Sequence, residues 1–315
     1  MTKALSPRGA LCGRDLLSIR DLSRDELLGL IMLAGDIRRD PSRYTGALTG
    51  RTLATIFEKP SLRTRVSFHV AAHQLGGAAI DLAPQEIGLR GREAIGDVAR
   101  TLDRMVSAIM IRTFAHDLVE RLAAVASIPV INGLTDFSHP CQALADYLTM
   151  LDVKGRLDGL RLAFVGDGNN VANSLMFGAA LLGVRMTIAT PPGYEPRPAV
   201  LAWARDHAIV NGTACHVVSS PEEAVADADV VYTDTWISMG QEDEAEERRR
   251  AFAGYQVTDT LLDRAAPDVT FMHCLPAHRG EEVAPEVIDS PRSVVFTQAE
   301  NRLHTEKALL YALVP

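Results

Sequence analysis

The segment Phe57-Glu-Lys-Pro-Ser-Leu-Arg-Thr-Arg-Val-Ser-Phe68 organises the rest of the chain. The apolar run that enters it, Thr52-Leu-Ala-Thr-Ile-Phe57, reads as a buried strand. Lys59 and Pro60 end that strand, and Ser61, Arg63, Thr64 and Arg65 arrive where a helix should begin. A helix N-terminus presents unpaired backbone N–H groups and the positive end of the helix dipole. With hydroxyls and two guanidinium groups added, the turn becomes a cradle for an anion, most naturally a phosphate. The plainer reading is a capped surface helix with solvated arginines. Three cations and two hydroxyls at one strand-to-helix turn count against it.

Outward from this turn the chain alternates strand and helix. Upstream, Ser23 and Glu26 form a capping-box pattern before Leu27, Leu28, Leu30, Ile31 and Leu33. Residues 1–20 read as irregular. Downstream, Gly76-Gly77 stops the helix, and strands are expected near 77–82, 107–111 and 128–132. Pro84–Glu93 reads as a loop. A helix from Pro140 leads into a second series, with strands near 160–165, 185–190, 214–218, 229–233 and 269–273. Repeated β–α units imply parallel sheets covered on both faces. The predicted fold is therefore α/β: two doubly wound domains, about 1–150 and 151–298, with the active site in the cleft between them. A final helix, 299–313 within a segment 299–315, crosses back to the first domain. The charge run Glu242–Arg250 reads as a solvated helix.

Composition narrows the function. At 315 residues, 47% apolar and 23% charged, the chain has a globular profile. A net charge of −8 gives no support to nucleic acid or an acidic membrane as partner. Cys12, Cys141, Cys215 and Cys274 are far apart, with no C-x-x-C, which suits a reducing cytoplasm rather than a disulfide framework. No apolar run approaches the ~20 residues of a membrane span. The first residues lack a continuous apolar signal core. No His, Cys, Asp or Glu set has metal-ligand spacing.

Ligands of parallel α/β sheets bind beyond the carboxyl ends of the strands. In the first domain those ends carry Ser61, Arg63 and Thr64, then Arg112, then Ser138-His-Pro-Cys-Gln142. In the second they carry Gly166-Asp-Gly-Asn-Asn170, then Asp234 with Trp236-Ile-Ser-Met-Gly240, then Cys274-Leu-Pro276. The first set is cationic or neutral and the second includes a carboxylate and an amide. That polarity suits an anionic ligand on one domain and an amino-bearing ligand on the other. Taken singly, each residue has a dull alternative: Arg112 a surface arginine, His139 a structural histidine, Cys274 an inert core thiol. Gly166-x-Gly168 invites a dinucleotide reading and an NAD-dependent oxidoreductase. Against it, Val171 stands at the third glycine, and the next strand ends in Thr190-Pro-Pro192 without an acidic residue.

Together these motifs resemble the aspartate/ornithine carbamoyltransferase family. Ser61-Leu-Arg-Thr-Arg65 is similar to its S-T-R-T-R carbamoyl-phosphate signature, and His139-Pro-Cys-Gln142 to H-P-x-Q. Asp234 with Ser238-Met-Gly240 resembles D-x-x-x-S-M-G, and His273-Cys-Leu-Pro276 resembles H-C-L-P, both of the ornithine branch. Asn301-Arg302 also matches. The resemblance spans nearly the whole chain. It implies that Ser61, Leu62 (through its backbone N–H), Arg63, Thr64, Arg112, His139, Gln142, Cys274, Leu275 and Arg302 bind carbamoyl phosphate. It implies that Asn170, Asp234, Ser238 and Met239 bind ornithine, and that Arg112, His139 and Cys274 serve catalysis.

The implied reaction is carbamoyl transfer to the δ-amino group of L-ornithine, giving L-citrulline and phosphate, in arginine synthesis or breakdown. No metal or organic cofactor is called for. A homotrimer is implied, with the Pro84–Glu93 loop reaching a neighbouring subunit. Two positions depart from the family pattern: Leu62 replaces a threonine, and Gly88 stands where a glutamine is common before Glu93. The Leu62 change keeps open a sister transferase acting on acetylornithine, succinylornithine or putrescine. An intact Asp234 and Ser238-Met-Gly240 favour the free amino acid.

Overall fold

A computed structural model describes residues 7–87 and 93–315 of the chain. Two compact units divide it: Met1–Leu148 with Glu300–Pro315, and Thr149–Ala299.

The first unit is built on a four-stranded parallel sheet of β1 (Thr52–Phe57), β2 (Ala78–Leu82), β3 (Ala108–Arg112) and β4 (Val130–Leu134), in the order β2-β1-β3-β4. β1 is buried from Leu53 to Phe57, and β3 and β4 throughout, as expected of parallel strands covered on both faces. Ala54, Ile56, Ile109, Ile111 and Val130 pack on Val98, Ala99 and Leu102 of the helix Ile95–Leu102 and on Val119 and Leu122 of His116–Ala123. β2 is the edge and stays largely exposed.

The second unit holds β5 (Arg161–Val165), β6 (Arg185–Ala189), β7 (Cys215–Val218), β8 (Val230–Thr233) and β9 (Thr270–His273), all parallel, in the order β7-β6-β5-β8-β9. Its helix Asn170–Leu182 is buried at every residue from Val171 to Leu182. A helix so largely apolar belongs inside a core.

Both sheets reverse direction once. The chain leaves β1 for β2, then returns past β1 to β3. It leaves β5 for β6 and β7, then returns past β5 to β8. The connections therefore diverge between β1 and β3, and between β5 and β8. Such switch points open a crevice at the carboxyl ends of their strands. Those four ends are the ones that carry Ser61, Arg112, Asn169 and Asp234.

The predicted Ser23–Glu26 capping box is formed, with Ser23 N–H donating to Glu26 Oε2 at 2.8 Å and Glu26 N–H to Ser23 Oγ at 3.3 Å. The last helix runs Val295–Leu313, four residues earlier than expected. Its first turn serves the second unit: Gln298 Nε2 donates to Tyr232 Oη at 3.1 Å, and Gln298 Oε1 accepts from His273 N at 3.0 Å. From Glu300 onward it belongs to the first unit, where Tyr311 meets Tyr44 edge-on at 5.0 Å and Leu309, Leu310 and Leu313 are buried.

Other expectations need correction. Residues 1–20 are not wholly irregular, because Pro7–Leu11 is helical and Ser18 and Asp21 form a second capping box around the turn Ile19–Asp21. Pro84–Ile87 forms a short helix inside the expected loop, and Gly88 lies outside the described residues. The charge run is helical over Ala245–Ala251 but not simply solvated, since Arg248 is buried at its centre.

Candidate active site

In the first unit, Ser61 caps the helix Leu62–Gln74, its Oγ accepting from Thr64 N at 3.2 Å. Leu62 projects into solvent at 74% exposure, so its methyl groups bury nothing. Arg63 is half-buried. Arg65 turns away: its guanidinium lies 4.4 Å over the Phe57 ring and pairs with Asp81. It braces β1 against β2.

Thr64 is fully buried and tied to the last helix, because Arg302 Nη2 donates to Thr64 Oγ1 at 3.1 Å. Arg302 Nη1 donates to Gln142 Oε1 at 2.8 Å, and Gln142 Nε2 donates to Asp146 Oδ1 at 2.8 Å. Residues 64, 142 and 302, far apart in sequence, thus form one hydrogen-bonded set. His139 ends the turn before the helix Pro140–Lys154. Burial pushes its pKa well below the usual histidine range, and Arg302, Arg112 and Arg63 push the same way. The imidazole is therefore neutral and carries one N–H donor.

Arg112, 7% exposed, ends β3 opposite a bulge: Ile111 pairs with Asn132, but Arg112 pairs with Leu134. Bulges re-aim side chains at strand ends. The extra residue is Gly133, where a Cβ would lie 2.5 Å from Met110 Sδ. Arg112, His139 and Arg63 make further contacts within the structure.

In the second unit the organising residue is Asp234. Its Oδ1 accepts from Thr235 N at 2.8 Å and from Cys274 Sγ at 2.9 Å, and its Oδ2 accepts from Asn169 Nδ2 at 2.8 Å. Asn169 was not anticipated. It also caps the helix Asn170–Leu182, its Oδ1 accepting from Val171 N and Ala172 N. The signal was present, because asparagine is a preferred N-cap and Asn169 precedes the apolar run. Asn170, the anticipated residue, is the first of the helix. Gly168 is explained by packing: a Cβ there would lie 2.2 Å from Pro196 N. That need accounts for Gly168 without a dinucleotide, and Gly166 takes φ 149°, which favours glycine.

A second missed residue is Arg248. It is buried and donates to Asp167 Oδ2 at 2.9 Å, to Trp236 O at 3.0 Å and to Glu244 Oε2 at 2.9 Å. It therefore braces the segment after β5 against the segment after β8. Burial raises the Asp167 pKa, and Arg248 opposes that rise. Ser238 N–H donates to Gln241 Oε1 at 3.0 Å, so the Ser238–Gly240 turn closes on itself, with Met239 exposed.

After β9, Leu275 takes φ 56°, which costs a non-glycine residue roughly 1–3 kcal/mol. Its N–H donates to His273 Nδ1 at 2.8 Å, while His273 Nε2 lies 3.2 Å from Glu282 Oε1. Because Nδ1 accepts, the ring proton sits on Nε2 and points at Glu282. The backbone at Cys274 and Leu275 is thus held by a buried Glu282–His273 pair.

The fold also assembles groupings that sequence spacing did not reveal. Donor atoms of Asp234, His273 and Cys274 lie within 4.8 Å of one another, as do those of His278, Glu281 and Glu282. In the first group both His273 nitrogens are engaged, which leaves that ring no lone pair for a metal.

Each unit carries its own polar set: a buried arginine–threonine–glutamine set at the β1/β3 switch point of the first, and an anchored carboxylate at the β5/β8 switch point of the second. Comparison with known proteins agrees. Residues 14–152 match the aspartate/ornithine carbamoyltransferase carbamoyl-P binding domain, and residues 158–313 match the Asp/Orn binding domain of the same family. The chain is 54% identical over 303 residues to an ornithine carbamoyltransferase of Thermococcus kodakarensis, covering 96% of each chain. It is 53% identical over 303 residues to an anabolic ornithine carbamoyltransferase of Pyrococcus furiosus, again covering 96% of each. A solved ornithine carbamoyltransferase from Pyrococcus furiosus superposes with a TM-score of 0.93 at 52% identity, over 96% of this chain and 97% of that one. No helix among the described residues is long and apolar enough to cross a membrane. With both halves matched in order and relatives more than half identical along nearly its full length, the chain belongs to the aspartate/ornithine carbamoyltransferase family.

Proposed function

We propose that the chain transfers the carbamoyl group of carbamoyl phosphate to the δ-amino group of L-ornithine, giving L-citrulline and phosphate. The observation that carries this reading is the Thr64–Arg302–Gln142 set at a capped helix N-terminus. It supplies donors for a phosphorylated anion, and the other unit supplies the Asp234 carboxylate for an amino acid.

In this reading Ser61, the Leu62 N–H, Arg63, Thr64 and Arg302 hold the phosphate, with Gln142 orienting Arg302. Arg112, the neutral His139 and Thr64 donate to the carbamoyl oxygen. Thr64 Oγ1 already accepts from Arg302, which leaves its own O–H to donate. Donors fixed before the reaction stabilise the oxyanion that forms on attack. Asp234 takes the α-amino group, and Asn170, Ser238 and Met239 complete the ornithine side. Cys274 and Leu275 lie along the path of the carbamoyl group.

The attacking amine must first lose a proton, against an ordinary pKa of about 10.4. Cationic surroundings and burial both favour the neutral amine. Arg112→Ala is expected to lower kcat far more than Asp234→Ala, whose main effect falls on the KM for ornithine. Equal kcat losses would refute that division of roles. Citrulline-type product formation with ornithine, acetylornithine and putrescine side by side tests the acceptor; activity confined to either of the latter two would overturn it. A cytoplasmic homotrimer is the assembly proposed, and a fully active monomer in sedimentation would contradict it.

A further inference from the structure

Arg302 is held by a residue to which the transfer reaction gives no role. Glu306 stands one turn later on the same helix, and its Oε1 accepts from Arg302 Nε at 3.1 Å and from Nη2 at 2.5 Å. With the bonds to Gln142 and Thr64, four of the five guanidinium N–H groups are engaged, leaving one on Nη1. Arg302 is 1% exposed and Glu306 0%. A side chain as flexible as arginine takes one direction in such a place only if an acceptor behind it fixes the fork.

We infer that Glu306 is a positioning residue for the phosphate half, fixing Arg302 so that its remaining N–H points to the anion, and setting the charge that the anion meets. This rests on the assignment of that half to carbamoyl phosphate.

The charge matters because Glu306 is poised to change it. Burial pushes its carboxyl up to about 7, against the pull of Arg302 and of the nearby Ser67 hydroxyl. Its Oε2 is buried with no hydrogen-bond partner among the described residues, and Ser67, across from it, gives its hydrogen to Arg63 O at 2.6 Å. The other ionisable groups of this set are Cys141, Asp146, His139, Arg112 and Arg63. His139 is held neutral from below this range and the Cys141 thiol from above it. Glu306 is the group of this set whose carboxyl burial brings to about 7. When its proton is bound, Arg302 loses its counter-charge and attracts the anion more strongly. Anion affinity accordingly rises as pH falls through about 7.

Calorimetric titration of the full chain with inorganic phosphate at pH 6 and pH 8, with melting curves alongside, tests this. Glu306→Asp keeps the charge but withdraws the acceptor by one methylene; it is expected to bind phosphate about tenfold more weakly at pH 8. Glu306→Gln keeps the reach and imitates the protonated acid. It should match the wild type within about twofold at pH 6 and bind about fivefold more tightly than the wild type at pH 8. The ionisation of phosphate itself cancels in these ratios. If Glu306→Asp does not fold, the Glu306→Gln ratio still decides. Wild-type affinity in Glu306→Asp, with or without a lower melting temperature, overturns the inference, as does an unchanged Gln-to-wild-type ratio at the two pH values. A wild-type chain that does not bind phosphate overturns it too. Phosphate binding without citrulline formation overturns only the transfer reaction.

Discussion

Replacing Gly168 by alanine should disturb the Asp234 set of the second unit and spare the Thr64–Arg302–Gln142 set of the first. The new Cβ would lie 2.2 Å from Pro196 N, 2.5 Å from Glu195 C and 2.6 Å from Pro196 Cδ. These are backbone and ring atoms that cannot rotate aside. Ordinary contact begins near 3.4 Å, so the two segments must part by about 1.2 Å. They are joined by the bond from Gly168 N to Tyr194 O at 2.8 Å, and Asn169 moves with Gly168. The Asn169–Asp234 bond, now 2.8 Å, then stretches toward 4 Å and is lost. A hydrogen bond to a charged group is worth about 1.5–3 kcal/mol, which corresponds to roughly a 10- to 150-fold loss of ornithine affinity. Overpacking adds about 1–3 kcal/mol of destabilisation. Steady-state kinetics should show the loss in the KM for ornithine, and calorimetry should show phosphate binding unchanged. A variant with wild-type KM and stability would refute the claim that Gly168 places Asn169. Equal losses for both ligands would refute the independence of the halves.

Three further changes test other parts of the structure. Leu62→Thr exposes no core surface, since Leu62 already faces solvent; one added hydroxyl is expected to tighten phosphate binding by about 0.5–1.5 kcal/mol in calorimetry. Arg248→Met leaves Asp167 buried without its cation and should cost about 3–5 kcal/mol in urea denaturation. His139 sets a pH slope: its folded pKa lies below the unfolded value, so the unfolded chain binds the extra proton and stability falls as pH drops below about 6.5. Between pH 6.5 and 5.5 the wild type should lose about 1 kcal/mol relative to His139→Gln. Parallel denaturation curves at both pH values would contradict a neutral, buried His139.

The sheets were legible because buried parallel strands write themselves as uninterrupted apolar runs. β1, β5 and β8 stand within a residue of where their runs place them. The strand ends were legible for the same reason, since polar residues there interrupt an apolar text. Residues that act across the fold were less so. Asn169 and Asn170 are chemically identical neighbours, and only the cap geometry tells which one reaches Asp234. Arg248 lies in a stretch whose composition describes a surface, and its burial depends on Asp167, 81 residues away. Glu306 resembles any acidic residue of a terminal helix until Arg302, Thr64 and Gln142 are seen around it. The start of the last helix was missed because Gln298 in its first turn is held by distant partners, Tyr232 and His273.

The first unit is discontinuous in sequence, closing only with Glu300–Pro315 after Thr149–Ala299 has been made. On a ribosome adding about 5–20 residues per second, the strands β1–β4 wait roughly 10–30 s for their last helix. During that interval the seat of Leu309, Leu310 and Leu313 stands uncovered, and Thr64 and Gln142 lack Arg302. A nascent chain carrying the whole Ser61–Arg65 motif therefore lacks the arginine that bonds to Thr64 and Gln142. Its uncovered apolar seat is the surface on which a chaperone would act until Glu300–Pro315 has been made.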